Sequence, residues 1–159
     1  MASVITEDAR TAGATVIVND RADVARLAHA DGVHVGQDDL PVGLARTIVG
    51  GDATVGLSTH TNEQIESGVA EPVSYLAVGP VFDTSSKVTG YDPVGLDGVR
   101  VAVERARRRS LPVVAIGGIT LETAPEVIEA GAASVAVISD LLVGGDPERR
   151  VRTYIQRLS

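Results

Sequence analysis

Three aspartates in two short pairs set the chemistry this chain could perform. Asn19-Asp20 follows one short apolar run and Asp38-Asp39 follows the next. Carboxylates converging from two adjacent parallel strands form a hard-oxygen site suited to Mg²⁺, which also takes oxygens from substrate phosphates. Each pair has a plainer reading as well. Asn and Asp favour turns, and Asp38 stands where it could cap a helix beginning near Leu40-Pro41. The metal role is therefore assigned to only one of Asp38 and Asp39. His34, inside an apolar run, reads as a packed side chain.

Further along, Ser58-Thr59-His60-Thr61 places hydroxyls and an imidazole ahead of a helix, whose N-terminus favours anions. Thr61 reads as a helix cap, and Ser58 and His60 as candidates for substrate contact. The loop Gly79-Pro80-Val81-Phe82-Asp83-Thr84-Ser85-Ser86-Lys87-Val88-Thr89-Gly90 gathers hydroxyls around a lysine, a scarce residue here. A pyrophosphate needs several donors and a neutralising charge; an ordinary surface loop is the other reading. Ile116-Gly117-Gly118-Ile119-Thr120 and Val137-Ile138-Ser139-Asp140 follow the last two apolar runs. Glycines let backbone N–H groups approach an anion closely. Parallel barrels build phosphate sites from the loops after their last two strands.

The elements that must position these residues are legible as short β-branched runs between amphipathic stretches. Strands are predicted over 15–18, 32–35, 54–57, 75–78, 113–116 and 134–138. Helices are predicted over 22–30, 42–49, 62–68, 97–109, 122–130 and 147–158. Thr61 to Gln64 and Thr123 to Glu126 have capping-box spacing. Gly68 and Gly131 stand where helices would end in a left-handed residue. Asp146 precedes Pro147 as an N-cap. Alternating strands and helices imply a parallel sheet with right-handed crossovers. The periodicity permits an open doubly wound sheet or a barrel, and both place ligands at the C-terminal strand ends.

Composition narrows the function classes. The chain has 159 residues, a formal charge of −7, no cysteine and 3% aromatic residues. The acidic balance argues against nucleic-acid binding. Zero cysteines exclude disulfides and thiolate metal sites and fit a cytoplasmic setting. No run is long and apolar enough for a membrane span, and the first residues lack the pattern of a signal peptide.

Together the motifs Val18-Asn19-Asp20, 32–41, 58–61, 79–87, 116–120 and 137–139 resemble the thiamine phosphate synthase/TenI superfamily, in order and spacing, from about Thr11 onward. The resemblance implies a parallel (β/α)₈ TIM-barrel type of α/β fold. It implies a transferase that couples 4-amino-2-methyl-5-(diphosphooxymethyl)pyrimidine to thiazole phosphate, giving thiamine phosphate and pyrophosphate. Carried onto this sequence, Asn19 contacts the pyrimidine diphosphate, and Asp20 and Asp39 bind Mg²⁺, leaving Asp38 as a cap. Ser58 contacts the pyrimidine and Lys87 the diphosphate; these two are the catalytic candidates. Thr84, Ser86, Gly118, Ile138 and Ser139 bind the thiazole phosphate.

The sequence departs from the family in two places. The family has two βα units ahead of the strand at 15–18, the second ending in a Gln/Arg/Lys-type diphosphate grip. Neither has a counterpart here, because Ala9-Arg10-Thr11 falls in the helix after that second strand. The expectation is one domain over 1–159, with about six of eight βα units, completed by self-association or by an N-terminal segment supplied in trans. Asp83 stands where many members have proline. The competing functions are a TenI-like thiazole tautomerase, with His60 as its acid–base group, and a non-catalytic phosphate-ligand-binding barrel fragment.

Overall fold

The computed structural model describes residues 1–84 and 90–158. Ser86 and Lys87 lie outside the described residues. Six strands form one sheet: β1 (Ile17–Asn19), β2 (Gly32–Val35), β3 (Thr54–Thr59), β4 (Tyr75–Val78), β5 (Val113–Ile116) and β6 (Ser134–Ala136). The helices are α1 (Ala2–Thr11), α2 (Ala22–Leu27), α3 (Val42–Val49), α4 (Asn62–Ala70), α5 (Gly95–Arg107), α6 (Ala124–Glu129) and α7 (Pro147–Leu158). A kinked 3-10 segment, Ser139–Gly145, joins β6 to α7.

Strand order decides between the two architectures. The sheet runs β1-β2-β3-β4-β5-β6, each strand parallel to the next. A doubly wound sheet reverses its order at a switch point. Here every crossover steps the same way, so the helices share one side and the sheet curls as a TIM barrel does. β1 and β6 do not pair, so the described strands form a half-barrel with two open edges.

Alternation along the strands gives the sheet a dry side and a half-open side. Val33, Val35, Val55, Leu57, Leu76, Val78, Val113 and Ala115 are buried against the helices. The intervening residues His34, Ser58, Tyr75, Val114 and Ile116 face the inside of the curl and are only half-buried. No strand of the described residues stands opposite to cover them.

The strands at 32–35, 75–78 and 113–116 and the helices at 42–49 and 147–158 form as predicted. The first strand lies later than predicted, and Asn19 is a strand residue paired with His34 rather than a turn residue. The last strand stops at Ala136, ahead of the 3-10 segment. Helix α2 stops at Leu27, just before His29 takes φ 52°. Gly131, at φ 104°, does end α6. Gly68 does not end its helix. It sits inside α4, where an added Cβ would lie 3.0 Å from Leu76 Cδ2 and 3.2 Å from Leu57 Cδ2, so it permits close helix–sheet packing. Thr61 caps α4 by accepting from Gln64 N at 3.3 Å, and Asp146 Oδ1 accepts from Arg149 N at 3.0 Å. Thr123 makes no such cap. Its backbone is already helical, and its hydroxyl accepts from Thr120 N at 3.0 Å instead.

At the end of the sheet away from the strand C-termini, Arg46 works as a staple. Its guanidinium donates to the carbonyls of Pro72, Gly50, Gly51 and Ala53 and to Ser74 Oγ. Those groups lie just before β3 and β4, so one cation satisfies several turn carbonyls at once. Arg46→Met should therefore lower stability by about 2–3 kcal/mol, seen as a lower urea midpoint with an unchanged slope. An unchanged midpoint would show that water serves these carbonyls equally well.

Candidate active site at the strand ends

The first half of the rim is built by register. Asn19, His34, Gly56 and Tyr75 are paired in sequence across β1 to β4, one row on the inner face. His34 Nδ1 lies 2.8 Å from Tyr75 Oη, and Nε2 lies 2.8 Å from Ser58 Oγ. A neutral imidazole donates from one nitrogen and accepts at the other. The proton order of Ser58, His34 and Tyr75 is therefore coupled, and burial pushes the Tyr75 phenol above its ordinary value. Gly56 makes the row possible. A Cβ there would sit 2.2 Å from Tyr75 Cζ and 2.4 Å from His34 Nδ1. His34 is thus more than packing: it holds the predicted contact residue Ser58. Gln37 Nε2 also donates to Ser58 O, at 2.6 Å.

Asp20 follows β1 with φ 62°, and its N–H donates to His34 O at 2.7 Å. That left-handed residue turns the chain from the strand toward α2, a conformation Asp tolerates. Asp39 lies in the turn after β2, where its Oδ2 accepts from Gly36 N at 2.7 Å. Asp38 does not cap α3. The cap position is Pro41, without a side-chain bond. Because β1 and β2 are parallel neighbours, Asp20 and Asp39 stand on the same rim. Among the described residues no group of three His, Asp or Glu side chains could by itself hold a metal.

His60 occupies the next strand end. Its Nδ1 donates to Gly79 O, and its ring stacks on Tyr91 with centroids 4.3 Å apart. Gln64 joins the same cluster, accepting from His60 N at 2.7 Å and donating to Tyr91 Oη at 3.0 Å.

The second half of the rim is built by the loops after β4, β5 and β6. Val81 N and Phe82 N donate to Ile116 O and Gly117 O at 2.9 and 3.0 Å. The chain leading to half-buried Thr84 is thereby pinned to the Gly-Gly turn. Gly118 has φ 66°, and a Cβ there would lie 2.5 Å from Asp83 O. Ile138 and Ser139 are exposed at the start of the 3-10 segment.

Asp140, directly after them, is buried. Its carboxylate accepts from Arg150 through two nitrogens, from Tyr154 Oη at 2.5 Å and from Leu121 N at 3.2 Å. Burial alone would raise this carboxyl. The bonds from Tyr154, Arg150 and Leu121 outweigh it and hold the group below its ordinary value. Sequence reasoning assigned no role to Tyr75, Gln37, Tyr91 or Asp140, and to Gln64 only a place in a capping box. Gly56 was the available signal for the Tyr75 row, since a glycine inside a strand often marks close approach.

Comparison with known proteins gives the family and the fold. Residues 1–141 match the thiamine monophosphate synthase family. A thiamine-phosphate synthase of Acidothermus cellulolyticus is 46% identical over 157 residues, covering 98% of this chain and 73% of that protein. One from Koribacter versatilis is 50% identical over 144 residues, covering 91% and 66%. The solved thiamine phosphate pyrophosphorylase from Pyrococcus furiosus superposes with a TM-score of 0.86 at 32% identity, covering 99% of this chain and 73% of that one. The chain thus spans about two thirds to three quarters of these proteins, and as little as 40% of some other relatives.

Gly118→Ala should cost about 1–3 kcal/mol, because it combines a left-handed backbone with a clash against Asp83 O. A thermal melt equal to that of the unchanged chain would show that the loop yields freely.

Proposed function

The chain belongs to the thiamine monophosphate synthase family, transferases that make thiamine phosphate, and we propose that its strand-end rim is the coupling site. The substrates are the aminopyrimidine diphosphate and thiazole phosphate, and the products thiamine phosphate and pyrophosphate. What carries this reading is the alignment of the matched residues on one rim: Asn19, Asp20, Asp39 and Ser58 over β1 to β3, and Thr84, Gly118, Ile138 and Ser139 over β4 to β6.

The two halves divide the work. Over β1 to β3, Asn19 and Ser58 would bind the pyrimidine diphosphate, with His34 setting the orientation of the Ser58 hydroxyl. Asp20 and Asp39 suit Mg²⁺ by donor chemistry, since one or two carboxylates plus substrate phosphates make up its usual protein-bound shell. When bound, that ion would neutralise charge on the departing pyrophosphate. Lys87 would add a second positive charge there.

Over β4 to β6, Thr84, Ser86, Gly118, Ile138 and Ser139 would hold the thiazole phosphate through hydroxyl and backbone donors. Cleavage of the carbon–oxygen bond releases pyrophosphate with the electron pair and leaves a pyrimidinylmethyl cation. The thiazole nitrogen supplies the pair that forms the new carbon–nitrogen bond. The reaction needs no covalent nucleophile on the protein. Its demand is that two substrates be held face to face.

The same reading makes 1–159 a single domain with six of eight βα units. Two further βα units, as the family barrel has, would cover the two edges that are open among the described residues. It sets the protein in the cytoplasm, where phosphorylated biosynthetic substrates are made and used. A tautomerase reading would draw on His60. With Nδ1–H committed to Gly79 O, its Nε2 is the basic nitrogen.

Coupling should be measured with both substrates and Mg²⁺, for this chain alone and with two N-terminal βα units added. Asp20→Ala and Asp39→Ala should each lower coupling by on the order of 100-fold or more. Unchanged coupling in both would sink the metal assignment. Thiazole isomerisation without coupling in the completed protein would favour the tautomerase, and thiazole phosphate binding without turnover the binding fragment.

A further inference from the structure

Asp140 is a buried carboxylate that the proposed chemistry does not use. It takes its place in the chain directly after Ile138 and Ser139, and its Oδ2 accepts from Leu121 N, at the far end of the loop that carries Gly118. One carboxylate therefore joins the loop after β5 to the loop after β6. Arg150 and Tyr154, one turn apart on α7, complete its shell, with nitrogen–oxygen distances of 2.9–3.0 Å from Arg150. The charge is matched, and its partners come from two elements besides its own. A shell this complete holds the group in one place.

From this geometry we infer that Asp140 is a positioning residue of the thiazole-phosphate site. It sets the spacing between the Gly118 backbone and the Ile138–Ser139 backbone without touching the ligand itself. This rests on the proposed assignment of both segments to that phosphate. The consequence is specific. Loss of the carboxylate frees Leu121 N–H and lets the two loops drift apart, so phosphate affinity falls while recognition of the thiazole ring does not. A carboxylate that merely anchored α7 would change the amount of folded protein and leave both affinities alone.

The test is calorimetric titration with thiazole phosphate and with the unphosphorylated thiazole alcohol, for the unchanged chain, Asp140→Asn and Tyr154→Phe. The asparagine keeps the size but loses the charge, and its Nδ2 can only donate, so it cannot accept all the bonds that Asp140 takes from Arg150, Tyr154 and Leu121. It should lose roughly tenfold in affinity for the phosphate and nothing for the alcohol. The phenylalanine removes one bond and keeps the packing, so its loss should be smaller and of the same kind. Equal losses for both ligands, or none, in folded Asp140→Asn would overturn the inference while leaving the proposed function intact. If the unchanged chain does not prefer the phosphate over the alcohol, the proposed site fails and this inference with it. Should Asp140→Asn not fold, Tyr154→Phe decides: a loss confined to the phosphate supports the role, and no such loss refutes it.

Discussion

Everything at the rim depends on keeping one side of the sheet dry. Val33, Val35, Val55, Leu57, Leu76, Val78, Val113 and Ala115 must all face the helices at once. With a side-chain period of two, a slip of one residue in any strand would put its aliphatic residues inside the curl and its polar ones under a helix. The hydrophobic requirement therefore sets the register. The register in turn puts Asn19, His34, Gly56 and Tyr75 in one row on the inner face, although none of them drives the folding of the sheet. The site inherits its geometry from packing on the opposite side.

The two ends of the sheet use side-chain polar bonds for different purposes. Away from the site, Arg46 gathers backbone carbonyls of the turns before β3 and β4, and its work is structural. At the strand C-termini the same physics joins functional loops. His34 ties Ser58 to Tyr75, and Asp140 ties the Gly-Gly loop to the segment holding Ile138 and Ser139. This division is general for the fold class, in which conserved chemistry collects at the top face and stability at the bottom. In each case a charged or amphoteric side chain replaces water as the partner of groups that the strand ends leave unsatisfied.

Much of this was readable before any coordinates, because it rests on local physics. Buried parallel strands are aliphatic runs, so β2, β4 and β5 stood out with their bounds. Strand-end Asn, Asp, Ser and Gly residues marked the rim, and their spacing carried the family resemblance that the comparisons bear out. What misled was also local. Gly68 looked like a helix stop because glycine usually is one, but α4 had to lie close on Leu57 and Leu76. Thr123 had cap spacing, yet its hydroxyl found Thr120 N first. Asp38 had the place of a cap, but the chain turned on Asp39 instead.

The amino-acid order alone determined that this is an alternating α/β chain whose polar and glycine residues collect after its strands. Both follow from residue type and short-range periodicity. Only the tertiary structure decided between an open doubly wound sheet and a curled one, and which side chains meet. Tyr75 and His34 are 41 residues apart, and Asp140 and Leu121 are 19 apart. Such pairs carry no local signature. They exist because strands adjacent in the sheet bring distant positions into register, and the register is an outcome of packing the whole core. Asp20 and Asp39 follow adjacent parallel strands on one rim. The bonds that orient their neighbours came from residues whose importance appears only once the sheet has curled.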